Sequence, residues 1–189
     1  MGQAFWCRGP GSSARFTADD YPSLQPKHAY EDDYASLLEA QVEITGLFGN
    51  VHDILYASKK RTIGLMLMGD YTRYLDDHDR GLAAWKGTWG SLKVSPYLKS
   101  LLDLQHEYLR LYVTAFAFQA VVCRTLHQSQ RQQGHVTPPR TYFPDGVMAC
   151  PDSRYIFSAV EAASNLLRIL CEQIDPVRHL RYLPVRFLL

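Results

Sequence analysis

The stretch Tyr108-Leu109-Arg110-Leu111-Tyr112-Val113-Thr114-Ala115-Phe116-Ala117-Phe118-Gln119-Ala120 decides the fold. Leu109, Val113, Phe116 and Ala120 recur three or four residues apart, the spacing of one helix face. Leu111, Tyr112, Ala115 and Phe118 fill the other sides. A helix that is apolar all round is enclosed by protein or immersed in lipid. A lipid span needs about 20 mainly apolar residues, and Arg110 and Gln119 interrupt this run. The reading is therefore a central helix enclosed by other helices, with no membrane partner.

Ser95-Pro96 opens that helix, because Ser is favoured as the N-cap and Pro at the first helical position. It is predicted over about 95–128, roughly 45–50 Å at about 1.5 Å per residue. Upstream, Leu37, Leu38, Val42, Ile44, Leu47, Phe48, Val51, Ile54 and Leu55 mark a helix from about Glu31 to Ala57-Ser58. The basic run Lys59-Lys60-Arg61 would then sit at the negative end of its dipole. Thr62 to Met68 reads as a short helix. Asp70 is expected to cap the next one, which carries Tyr71, Tyr74, Leu75, Leu82, Trp85 and Trp89.

Downstream, the polar tract Gln128 to Gly134 and four prolines give a loop over 129–151, with mobility expected around Gln130 to Val136. Asp152 or Ser153 caps a last helix to about Gln173. Its expected apolar face is Ile156, Val160, Ala163, Leu166, Leu167, Leu170 and Cys171. The expectation is an all-α fold of about five helices around a long central one. Residues 1–30 form an extended N-terminal segment, and 31–189 form one helical domain. The apolar ending Phe187-Leu188-Leu189 predicts either a terminus tucked into the core or a domain incomplete at its ends.

Composition narrows the function. Of 189 residues, 47% are hydrophobic and 12% aromatic, enough for a packed core and against general disorder. Twenty basic and nineteen acidic side chains leave a net charge of +1, no footprint for a phosphate backbone, so this segment is not expected to grip DNA itself. The four cysteines are scattered and form no Cys-x-x-Cys pair, which reads as buried reduced thiols in an intracellular protein.

Asp76-Asp77-His78-Asp79 could hold Mg²⁺ on a diphosphate, as the aspartate-rich segment of terpene synthases does, but no second metal-binding segment follows it. The simpler reading is an acidic, solvated first helical turn. In His52-Asp53 and His106-Glu107 the neighbours point about 100° apart on a helix, so neither pair is preset as an acid–base dyad. Tyr108, Tyr112, Phe116 and Phe118, with Trp85 and Trp89, read most simply as core. In a functional version they wall an effector pocket, with Arg110 or Gln119 as its polar anchor. Arg110 inside an apolar run needs a carboxylate or carbonyl partner, with an acid on the helix before it expected, because an unpaired buried charge is very costly.

Several stretches, taken in order, carry a resemblance. They are Phe5-Trp6-Cys7-Arg8-Gly9-Pro10, Leu47 to Tyr56, Gly69-Asp70-Tyr71-Thr72-Arg73-Tyr74-Leu75, Trp85 with Trp89, Tyr108 to Ala120, and Leu180 to Arg186. Together they resemble the middle homology region of fungal zinc-cluster transcription factors, in the branch of amino-acid and nitrogen-metabolism regulators. The resemblance implies a nuclear, all-helical regulatory region that controls RNA polymerase II transcription. It implies protein partners in the transcription machinery or a co-regulator, homodimerisation of the full-length protein, and a small-molecule effector. In that family a six-cysteine cluster with two zinc ions binds DNA. This chain has four scattered cysteines and no such cluster, so zinc and DNA contacts would belong to a module outside it, and no zinc ligand carries over. The alternatives are a helical protein-interaction module without DNA binding, or a Mg²⁺-dependent helical enzyme acting on a diphosphate.

Overall fold

The computed structural model describes residues 17–133 and 141–179. The expectations for Phe5-Trp6-Cys7, for the loop at 134–140 and for the end of the chain after His179 lie outside the described residues.

Among the described residues six α-helices follow in order: α1 Tyr34–Leu55, α2 Lys59–Met68, α3 Thr72–Trp89, α4 Pro96–Gln133, α5 Ser153–Arg168 and α6 Pro176–His179. No strand occurs among the described residues, so the fold is all-α, built on a long central helix. Short 3₁₀ turns at Ala18–Asp20 and Pro22–Leu24 precede α1, and the Ala18 amide donates to Glu39 of α1 (2.8 Å).

Local chemistry sets the boundaries. The Asp33 carboxylate accepts from the Ser36 amide (3.0 Å) and starts α1. Ser58 accepts from the Arg61 amide (3.3 Å) and starts α2, so Lys59-Lys60-Arg61 opens a helix instead of closing one. The cap's hydrogen bond outweighs the unfavourable placing of exposed basic residues at a positive helix end, an effect that water screens. Gly69 ends α2 in the left-handed region at φ 81°, with its N–H on the Leu65 carbonyl (3.0 Å). That turn leaves Asp70 outside α3, whose N-cap is Tyr71.

At 38 residues, α4 runs to Gln133, past the predicted end, because Gln and Arg extend a helix as well as Leu does. Helices α1, α2 and α3 pack on one side of α4. Helix α5 lies antiparallel on another, paired through Arg124–Asp152 at one end and Glu107–Asn165 at the other. Leu109, Val113, Phe116, Ala117 and Ala120 are fully enclosed, whereas Phe118 and Gln119 are exposed. The central helix is therefore covered on two sides rather than all round. By length and composition, Pro96–Arg131 would also suffice to cross a membrane. Here the packed helices supply its apolar surroundings.

The main core joins Leu37, Ile44, Val51, Leu55, Leu75, Leu82, Trp85, Leu102, Leu109, Val113 and Phe116. A smaller one, Leu104 with Ile169 and Ile174, holds the end of α5 where it widens into a π-turn over Ile169–Gln173. Cys171 is exposed there rather than buried. Val160 and Leu167, expected on the buried face of α5, are exposed as well, and the face on α4 is Tyr155, Ile156, Ala159 and Ala162.

Candidate functional site: a cleft between α2, α4 and α5

The residues read from the sequence as a pocket are not gathered in one place. Tyr108, Tyr112 and Phe116 lie along the face of α4 that meets α1, in a run of aromatic contacts. Phe48 stacks on Tyr108 (6.0 Å) and Tyr112 (4.8 Å). Tyr112 meets Tyr56 (4.7 Å), Tyr56 meets Phe116 (5.5 Å), and Phe116 meets Tyr71 (5.2 Å). Such offset and tilted pairs suit the ring quadrupoles. Burial, with Tyr108 beside it, pushes the Tyr112 hydroxyl up to about 12, so it stays a neutral partner of His52 Nδ1 (3.2 Å).

Arg110 points the other way, to α5. It reaches Ser158 Oγ (3.2 Å), Glu161, and Glu107 on its own helix (3.5 Å). Its partners beyond its own helix are thus on the helix after it in sequence, because α5, not α3, lies against that face of α4. Gln119 is exposed. Trp85 donates from its indole N–H to the Ala40 carbonyl (3.0 Å), and Trp89 donates to Glu43 (2.6 Å), so both tie α3 to α1. The His106 ring is turned onto Glu107 (Nδ1···Oε1 3.0 Å) and stacks on Trp85 (5.8 Å). The side-chain torsions thus close a gap that the helix angle leaves open.

The aspartate-rich run is divided. Asp76 accepts from Arg154 (2.7 and 2.9 Å) and from the Tyr155 hydroxyl (2.8 Å), while Asp77 pairs with Arg80. The Tyr155 bond, with Arg154, holds the Asp76 carboxyl below its usual range. Both aspartates fall beyond the first turn of α3. Among the described residues no group of His, Cys, Asp and Glu is arranged to hold a metal ion.

A different site is present, with residues the sequence reading did not single out. Where the end of α2, the last third of α4 and the start of α5 meet, a cleft of about 460 Å³ opens. Leu67, Met68, Val121 and Pro151 form apolar walls. Thr125, Gln128 and Cys150 lie along it, and Tyr71, Arg124 and Asp152 lie at its base. Arg124 donates from Nη1 to the Met66 carbonyl (3.0 Å) and the Tyr71 hydroxyl oxygen (2.9 Å), and from Nη2 to Asp152. The Tyr71 hydroxyl in turn donates to Asp152 Oδ1 (2.7 Å). Burial and the Asp152 hydrogen bond drive the Tyr71 hydroxyl well above its usual value, so it remains a donor. Burial acts to lower the Arg124 value, but the contacts with Tyr71 and Asp152 outweigh it and the guanidinium is held above its usual range.

Two helix ends shape this group. Arg124 sits on a carbonyl of the last turn of α2, the negative end. Asp152 is the N-cap residue of α5, but its carboxylate makes no cap bond and serves Tyr71 and Arg124 instead. The base of the cleft is a closed, charge-balanced set, and a ligand there would meet apolar walls and neutral polar groups. The sequence signal was present: Arg124 falls between the apolar Val121-Val122-Cys123 and Leu126, as Arg110 falls between Leu109 and Leu111. Its partners lie 28, 53 and 58 residues away, which no local pattern reveals. The chain matches no protein-family model, no curated protein and no solved structure.

Proposed function

We propose that this chain is the regulatory region of a fungal transcription factor of the zinc-cluster class. On this reading it controls RNA polymerase II transcription from the nucleus, through a DNA-binding module outside the chain. The supporting observation is where the resembling stretches lie. Leu47 to Tyr56, Gly69 to Leu75 and Tyr108 to Ala120 are far apart in sequence, yet the aromatic run from Phe48 through Tyr112, Tyr56 and Phe116 to Tyr71 joins all three. That run ends on Tyr71, whose hydroxyl belongs to the base of the cleft. An effector settling there would press on the same packed rings that hold α1 to α4, a physical route from ligand to helix arrangement.

The test is a reporter assay in a fungal host. The full chain is fused to a zinc-cluster DNA-binding module from another protein. Transcription that changes with the nitrogen source, and loses that response in Asp152→Asn with protein level unchanged, is the expected result. Output equal to that of the module alone under every nitrogen source would remove the proposal. A second reading, a helical interaction module without a transcriptional role, is favoured by one observation, the exposed apolar residues of α5. The diphosphate-enzyme reading takes no support from Asp76 and Asp77, which serve different partners.

A further inference from the structure

Helix α5 is apolar on two opposite faces. One carries Tyr155, Ile156, Ala159 and Ala162 and is buried on the bundle. The other carries Phe157, Val160, Ser164 and Leu167, spaced three, four and three residues apart, as in the seam of two paired helices. Phe157, Val160 and Leu167 are 47%, 59% and 60% exposed. A row of exposed large apolar residues on a surface helix, here broken only by Ser164, is the mark of a contact with another macromolecule. Its flank is charged in a fixed order: Arg154, Glu161 and Arg168 recur every seven residues on one edge of the row. Glu161 meets Arg110, but its side chain is still 63% exposed.

We propose that this outward face of α5 is a contact between two copies of the chain, packed antiparallel about a two-fold axis. The charges select both the occupant and the register. In an antiparallel pair the same edge of each helix faces its counterpart. One register puts Ser164 against Leu167 of the second copy, twice. Glu161 then lies beside Arg168 of the second copy, and the two-fold axis repeats that ion pair. A shift by one heptad puts Glu161 on Glu161 and Arg154 on Arg168, like on like, and is disfavoured. A shift the other way puts Arg168 on Arg168, again like on like. A single helix-on-helix seam lies below the ~1,200 Å² of a standard interface, so association is weak and depends on concentration. The contact stands independently of the transcriptional reading.

The experiment is sedimentation equilibrium of the full 189-residue chain over a concentration series. The wild type is expected to form a reversible dimer. Leu167→Glu, Arg168→Glu and Glu161→Arg each should weaken it by about tenfold or more, since each places a charge in the seam or like charges across it. All three positions are exposed, and thermal unfolding checks that each variant folds. Mixing R168E with E161R in equal amounts restores both ion pairs across the axis, so the mixture should dimerise where neither variant alone does. A wild type that stays monomeric at every concentration overturns the proposal and leaves the face to a different protein. A dimer that Leu167→Glu does not weaken, or a mixture that stays monomeric, overturns it equally.

Discussion

At the scale of single residues, Asp152 shows how a side chain can leave the role its position implies. A residue just before a helix normally caps it, but this carboxylate is 4% exposed and turned onto Tyr71 and Arg124. Asp152→Ala would strand a guanidinium and a hydroxyl. The expected loss is about 2–3 kcal/mol of stability, at the low end for a broken buried pair because the Arg124 side chain keeps some solvent. Tyr71→Phe removes one donor and should cost about 1 kcal/mol. Urea denaturation of the three proteins would rank them, and an Asp152→Ala midpoint equal to wild type would contradict the geometry. His78 offers a pH test. Burial lowers its value from the ordinary 6.5, so the folded chain takes up its proton less readily than the unfolded one. Stability is then full above 6.5 and falls as the pH drops below it. His78→Leu should flatten that part of the profile between about pH 7 and pH 5, read as denaturant midpoints.

At the scale of elements, the helices differ in how far their own sequence accounts for them. Helices α1 and α2 open on side-chain caps that the sequence reading did not single out, Asp33 and Ser58, while Leu37, Ile44, Val51 and Leu55 of the expected α1 face are buried. Helix α1 also carries Gly46 in its interior, where a methyl group would meet nothing within 4 Å. Gly46→Ala should therefore stabilise the chain by up to about 1 kcal/mol. At Gly69 the same change should destabilise it by about 1 kcal/mol, because φ is 81° and a side chain strains there whatever the space. Thermal unfolding should thus shift in opposite directions for the two variants. The ending of α5 was legible only in part. Asp175-Pro176 stops it as read, but α-helical geometry gives way earlier, at Ile169, to a π-turn. Its Gln173 amide oxygen accepts from Ser100 on α4 (3.2 Å), a contact made by packing and absent from any local pattern.

At the scale of the whole molecule, the aromatic run couples three helices and the cleft. Phe116 stands at its centre, fully buried between Tyr56 and Tyr71. Phe116→Ala should cost about 3–5 kcal/mol, the range for a large core side chain removed from a site that cannot collapse. Urea unfolding and hydrogen exchange would check it, and exchange in α1 and at the start of α3 should rise together. Loss confined to α4 would mean that the rings pack without coupling the elements. The candidate pocket residues were read as one set because they are aromatic and share a stretch of sequence. In the bundle α4 turns Tyr108, Tyr112 and Phe116 to α1 but Arg110 to α5, and the set divides with the faces.

What the sequence by itself determined is the class of fold, the existence of the main helices and the central place of α4. These follow from hydrophobic spacing and from capping side chains, which act over a few residues and are read directly. Tertiary structure alone decided which sides of α4 and α5 are covered, where Arg110 and Arg124 find their carboxylates, and where the cleft lies. The partners of the two arginines are up to 58 residues away for Arg124 and 51 for Arg110. An apolar residue carries the same signal whether it faces a neighbouring helix or solvent, so Val160 and Leu167 read as core until the bundle leaves them outside.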